Sequence, residues 1–216
     1  MDTEDADDEA NVLVCVRVRP PSEKESGREN MVTVMDQNCV VFHPNGQVGY
    51  REEGIQKRLV SGAKRSREQT YKFDTVFGPS ATQQEVYNGS AKHVIDACVK
   101  GFNATVFAYG ATGSGKTHTM MGNETAGPGV MVLSMRDLFA KMEERRLESQ
   151  YKICISYLEI YNETIRDLLV DESEPLQLRE KASGTSEVSN LSKHYPESAN
   201  DVREAPFCAR SSTRVF

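Results

Sequence analysis

The 216-residue sequence contains no uninterrupted apolar run of the ~18 residues needed to cross a bilayer, so no transmembrane helix and no membrane partner are expected. An apolar leader is lacking too. The first ten residues, MDTEDADDEA, hold six acids, which does not suit a secretory signal and reads as a disordered acidic tail over 1–10. The five cysteines, Cys15, Cys39, Cys98, Cys154 and Cys208, form no CxxC pair and are odd in number. A disulfide framework or zinc site is therefore not expected, and a reducing cytosol fits better. Without a secretion signal, the N-x-S/T triplets at 88–90 and 162–164 read as chance. Positive charge is also short. A net charge of −6 and a pI near 5.4 argue against a generally basic nucleic-acid binder, yet leave room for a local basic patch. Neither an internal repeat nor a heptad region is present.

What remains is the balance of a folded domain, with 38% hydrophobic and 27% charged residues, which supports an ordinary core. VLVCVRVRP at 12–20 alternates apolar and polar residues, with Val12, Val14, Val16 and Val18 on one face, and reads as a strand ended by proline. Residues 31–35 and 39–42 suggest a hairpin, and 71–77 a short strand and turn. Thr82 with Glu85 makes a capping box that predicts a helix through about Val99, with Val86, Val94, Ile95 and Cys98 near one face. ATVFAYG at 104–110 is an apolar run of strand length, as for a buried strand. Pro128-Gly129 opens another helix, with Met131, Met135, Leu138, Phe139 and Met142 on one stripe, a core pattern. YKICISYLEIY at 151–161 reads as a strand, ETIRDLL as a short helix, and 176–179 as a small strand. Strands interleaved with helices indicate an α/β sheet.

Between that strand and the methionine-rich helix stands the motif that carries chemistry. Gly110-Ala111-Thr112-Gly113-Ser114-Gly115-Lys116-Thr117 matches G-x-x-x-x-G-K-[ST], the phosphate-binding loop. A triphosphate crowds negative charge, so a backbone that holds it must curl and turn its N–H groups inward. Gly110, Gly113 and Gly115 permit that curl. Lys116 supplies charge to the β and γ phosphates, and the Thr117 hydroxyl can ligate Mg²⁺. At a typical glycine usage of about 7%, the pattern arises by chance in roughly one such chain in a hundred. The loop alone does not choose among small-molecule kinases, GTPases, helicases and motors. LLVD at 168–171 superficially resembles the acidic strand that such enzymes add, but its flanks suggest a helix end instead.

FAYGATGSGKTHTMMG at 107–122, together with VRVRP at 16–20 and SYLEIYNETIRDLL at 156–169, resembles the kinesin motor domain, in the family's order. The stretch YKFDTVFGPSATQQEVYNGSAKHVIDACVKGFNATVFAYG extends the likeness. Ala111 and the long basic loop near 51–70 look most similar to the kinesin-8 class. The resemblance covers about 11–180 and implies the N-terminal part of a P-loop NTPase of kinesin type, a central mostly β-sheet flanked by helices, here incomplete. It implies ATP and Mg²⁺ as ligands, with Arg17, Arg19 and Pro20 on the adenine side and His118 packed against the base. The plain alternatives are exposed strand charge for the arginines and a first-turn helix residue for His118.

The resemblance also implies microtubules as partner, through Lys57, Arg58, Lys64, Arg65 and Arg67. The segment 51–72 holds seven basic residues against three acids, a local balance of +4 that would favour acidic tubulin and weaken with salt. A solvated loop without a partner is the alternative. Localisation would be cytoplasmic and cytoskeletal. Past Glu180 the likeness decays, and 181–216 reads as a divergent, poorly ordered segment. Ser211 and Ser212 stand where the family has its first switch, but Thr213-Arg214 departs from it, and the second switch, D-L-A-G-S-E, does not occur. No residue is therefore expected to be catalytic and hydrolysis is expected to be slight. The run at 104–109 would expose unpaired edges. The competing expectation is a non-motile kinesin-like product with weak nucleotide or tubulin binding.

Overall fold

A computed structural model describes residues 12–25, 30–44, 68–171, 173–198 and 201. The acidic tail, the basic residues Lys57, Arg58, Lys64, Arg65 and Arg67, and the serines at 211 and 212 lie outside the described residues. The chain divides into two compact units, Met1–Thr82 and Gln83–Phe216.

The first unit is built from short strands: β1 (Cys15–Arg17), β2 (Val32–Val34), β3 (Cys39–Phe42), β4 (Gln69–Lys72) and β5 (Thr75–Phe77), with a 3-10 turn at Glu23–Glu25 after Pro20. β1 pairs in parallel with β5, Cys15 opposite Thr75 and Arg17 opposite Phe77. The Val18 amide extends that ladder by donating to the Phe77 carbonyl at 2.8 Å. The expected hairpin is present. β2 and β3 run antiparallel with Val34 opposite Val40, and the Asp36 carboxylate accepts the Asn38 amide at 2.8 Å in the turn between them. β4 joins β3 on its other side. Val40, Val41, Val76 and Phe77 are buried. The strand expected over 12–20 is shorter than its alternation suggested, and Val12, Leu13 and Val14 are exposed. A ladder extends only as far as its partner, and β5 is three residues long.

The second unit comprises α1 (Gln83–Asn88), α2 (Lys92–Val99), α3 (Lys116–Met121), β6 (Gly122–Asn123), β7 (Gly127–Pro128), α4 (Val130–Glu144), β8 (Leu158–Tyr161), β9 (Thr164–Asp167), β10 (Leu178–Glu180) and β11 (Ser186–Val188). The single helix expected from Thr82 to Val99 is two helices. The Ser90 hydroxyl donates to the Val86 carbonyl, the acceptor its own amide would use in a continuing helix, and that amide turns to Tyr87 instead at 3.2 Å. Val86, Tyr87, Ala91 and Ile95 are buried, as are Val130, Val132 and Leu133 of α4. The Tyr87 hydroxyl donates to Asp137 of α4 at 2.6 Å. Met131, Met135 and Phe139 pack against the core as their spacing predicts, while the deepest positions, Val130, Val132 and Leu133, fall outside the anticipated stripe.

Two expectations are overturned here. The apolar run at 104–110 forms no ladder among the described residues; Phe107 is 78% and Tyr109 95% exposed. Without a neighbouring backbone to accept its hydrogen bonds, an apolar segment gains neither pairing nor cover. The ETIRDLL segment is not helical: β9 pairs with β8 in a hairpin, Tyr161 opposite Thr164 and Leu158 opposite Asp167. Its two-residue turn, Asn162 and Glu163, has both φ angles positive, at 46° and 59°, which is the hand that matches strand twist. Within 151–161 only Leu158–Tyr161 is strand, and Ile155 makes an isolated bridge to His194. β10 and β11 form a further hairpin.

Candidate functional site

The loop begins where the exposed run at 104–109 ends. The Ser114 amide donates to the Ala111 carbonyl at 3.1 Å, closing a tight turn. Gly113 and Gly115 hold φ of 80° and 98°, a region side chains disfavour. At Gly110 the restraint is space, since a Cβ there would stand 2.5 Å from the Ser114 hydroxyl oxygen. Gly115 caps α3, its carbonyl accepting the Thr119 amide at 2.9 Å, so Lys116, Thr117 and His118 occupy the first turn of that helix.

Lys116 is half-buried and folds back over the loop. Its ammonium donates to the carbonyls of Gly110 at 2.8 Å and Ala111 at 3.0 Å. Both acceptors are neutral, and among the described residues the ion pairs engage other side chains. Thr117 is exposed. His118 is half-buried, its carbonyl accepting from the side-chain amide of Gln83 at 2.6 Å. The far end of α3 is locked by close backbone contact. A Cβ on Gly129 would meet the Gly122 nitrogen at 2.5 Å and the Met120 carbonyl carbon at 2.6 Å.

Gln83 escaped the sequence reading. It is 2% exposed, a buried polar residue at the start of α1. The available signal was its place at i, i+3, i+4 with Val86 and Tyr87, where a polar residue on an apolar stripe must find a partner.

The predicted adenine-side residues belong to the first unit. Arg17 is half-buried, donates to the Ala81 carbonyl at 3.2 Å, and burial pulls its guanidinium down from its ordinary value. Arg19 and Pro20 are exposed. Arg19 forks onto Glu25 with bonds of 2.7 and 2.6 Å, and the Ser22 amide and hydroxyl donate to the same carboxylate at 2.8 and 2.9 Å. The Arg19 hydrogen bonds, followed by those from Ser22, hold the Glu25 carboxyl far below the usual carboxylate range.

The residues present fit a magnesium–nucleoside triphosphate. The loop has glycine where a side chain would intrude, and its lysine is held only by exchangeable neutral acceptors. No cluster of three or more His, Cys, Asp or Glu suited to a metal occurs among the described residues. A divalent ion here would take one hydroxyl from the loop and oxygens from phosphate and water, the manner in which Mg²⁺ is commonly held.

A family model described as the kinesin motor domain matches residues 17–215. The chain is 42% identical over 199 residues to kinesin-like protein KIF18B of Mus musculus, covering 89% of this chain and 23% of that protein. Kinesin-related protein 10 of Dictyostelium discoideum is 41% identical over 204 residues, covering 89% and 16%. Kinesin-like protein KIF18A of Mus musculus is 39% identical over 192 residues, covering 88% and 21%. Among solved structures, a KIF14 dimer in a two-heads-bound state with AMP-PNP, in complex with a microtubule, superposes with a TM-score of 0.76 at 28% identity, covering 94% of this chain and 54% of that one. A fast kinesin superposes with a TM-score of 0.75 at 29% identity, covering 94% and 52%. The chain thus spans about a quarter or less of these curated relatives and about half of the solved chains.

Proposed function

The chain belongs to the kinesin motor-domain family, with its near relatives in the kinesin-8 class, and on that premise we propose that it binds ATP with Mg²⁺ through Gly110–Thr117 and docks on microtubules as part of a cytoskeletal motor. The observation that carries the reading is the loop itself: glycines at 110, 113 and 115 in demanding conformations, followed by a lysine and threonine on the first turn of α3. Lys116 would leave the Gly110 and Ala111 carbonyls for the phosphates, exchanging neutral acceptors for charged ones. Thr117 would ligate the metal. Bound Mg²⁺ would supply charge neutralisation to the β and γ oxygens. Arg17, Arg19 and Pro20 would lie on the adenine side, and His118 would pack against the base. Lys57, Arg58, Lys64, Arg65 and Arg67 would meet the acidic filament surface.

Calorimetry on the full chain tests the first half. Lys116→Ala should weaken Mg·ATP by tenfold or more, roughly the 1.5–3 kcal/mol of charge-assisted bonds. Equal affinity in the two proteins refutes the reading. Cosedimentation at two salt concentrations tests the second half. Charge reversal at Lys57, Arg58, Lys64, Arg65 and Arg67 should abolish a salt-sensitive association.

A second reading has its own support. The exposed run at 104–109 leads directly into the loop without a ladder, among the described residues, to brace it. A loop so mounted fits a product that binds nucleotide or tubulin weakly and does not move. Microtubule-stimulated phosphate release decides between the two readings: a clear stimulation supports the motor, none the weak binder.

A further inference from the structure

We propose that Gln83 is a positioning residue for nucleotide recognition, holding the His118 ring in one orientation and one neutral tautomer. The inference rests on the phosphate-loop reading above and adds to it a residue on a different helix.

Gln83 stands at the start of α1, 2% exposed, so its amide cannot rely on water. Its Nε2 lies 2.6 Å from the His118 carbonyl oxygen and 3.5 Å from His118 Nδ1. The carbonyl can only accept. The amide must therefore present its NH₂ to this side, since the flipped amide would set oxygen against oxygen in a buried site. An NH₂ group has two hydrogens. One goes to the carbonyl, and the other is directed towards Nδ1. A ring nitrogen that faces a donor has to be an acceptor, so the neutral imidazole carries its proton on Nε2. The 3.5 Å separation is long for a strong bond, so its contribution is direction rather than energy. The 2.6 Å bond supplies the anchor, fastening α1 to the same helical turn that bears Lys116 and Thr117.

A residue that only braced the turn would affect every ligand of the loop alike. One that acts through the His118 ring affects ligands that carry a base. Mg·ATP and Mg·tripolyphosphate separate these cases, because both load the loop but only one has a base. In Gln83→Leu we expect loss of the anchor to weaken Mg·tripolyphosphate by about threefold and Mg·ATP by about tenfold, the difference between them reporting the His118 ring. In ¹⁵N spectra of the neutral ring, the native protein should show His118 protonated on Nε2, and Gln83→Leu a mixture of tautomers. His118→Ala, which leaves the buried amide and its carbonyl bond in place, should reproduce the selective loss of Mg·ATP and serves if Gln83→Leu does not fold. Equal weakening of both ligands in Gln83→Leu, an unchanged Mg·ATP affinity in either variant, or a native ring protonated on Nδ1 overturns the inference alone. A native protein that binds neither ligand overturns the phosphate-loop reading and this inference together.

Discussion

The segments at 12–18 and 104–109 look alike on paper. Both are short, largely apolar, and followed by proline or glycine. In the folded chain Cys15–Arg17 lies in a parallel ladder beside β5, whose Val76 is 6% exposed, whereas 104–109 runs without a ladder among the described residues and leaves Tyr109 95% exposed. An apolar pattern therefore states a need for a partner rather than supplying one. Strand hydrogen bonds are made between segments, so an isolated strand former has nothing to close against.

The contrast can be broken at its paired end first. Val76→Asp puts a carboxylate into the buried side of β5 and should cost at least about 3 kcal/mol, enough to abolish cooperative unfolding of the first unit in urea. The matching change in the unpaired run, Phe107→Asp, should alter stability by less than about 0.5 kcal/mol and reduce aggregation. Equal losses from the two substitutions would dissolve the comparison.

Close backbone approach offers a second test, independent of strands. Gly129→Ala would drive a Cβ into the backbone of Met120 and Gly122, and we expect a loss of about 2 kcal/mol or more in thermal melts. Gly78, with nothing within 4 Å of a Cβ, should accept alanine nearly silently.

The third test uses acid. Asp167 ends β9, is 4% exposed, and accepts the amides of Ser192 at 2.7 Å and Leu169 at 2.9 Å. Burial pushes its carboxyl up, but the Ser192 and Leu169 amides and the Ser192 side chain together outweigh that and leave it below its ordinary value. A carboxyl lowered by folding stabilises the native state above its unfolded value of about 3.9, and that stabilisation is lost as pH falls from there through the lower folded value. Asp167→Asn should cost about 1–2 kcal/mol at neutral pH and flatten the acid limb of a stability profile below about pH 4. An unchanged acid limb would remove Asp167 from the account.

The smallest effect sharpens the comparison at a ladder that formed. The β8–β9 turn places Glu163 at φ 59°, where a side chain costs about 1 kcal/mol and glycine costs little. Glu163→Gly should raise stability by about 0.5 kcal/mol after the entropy of the freer unfolded chain is subtracted. A destabilised variant would mean that this side chain makes a contact worth more than the strain.

Much of the molecule was legible without coordinates. The glycine-rich turn at 110–115 was legible residue by residue, because its glycines answer a local backbone demand that any neighbouring fold must respect. The helix after Pro128-Gly129 and the hairpin around Asp36 and Asn38 were legible for the same reason, their signals lying within a few residues of where they act. ETIRDLL was misread because its apolar spacing suits a helical turn, and the positive φ angles at Asn162 and Glu163 have no glycine to announce them. The break between α1 and α2 hung on one serine hydroxyl choosing a backbone carbonyl.

By itself the sequence determined the family and the glycine-rich turn that leads into α3, since each depends on short-range chemistry written in consecutive positions. The tertiary structure alone decided which apolar runs became strands, where the long helix divides, and that a buried glutamine on α1 reaches the histidine beside the loop. The strands and the glutamine contact depend on hydrogen-bond partners tens of residues away, whose distance in space cannot be read from their distance in the chain, and the helix break on one hydroxyl's choice of a carbonyl four residues back.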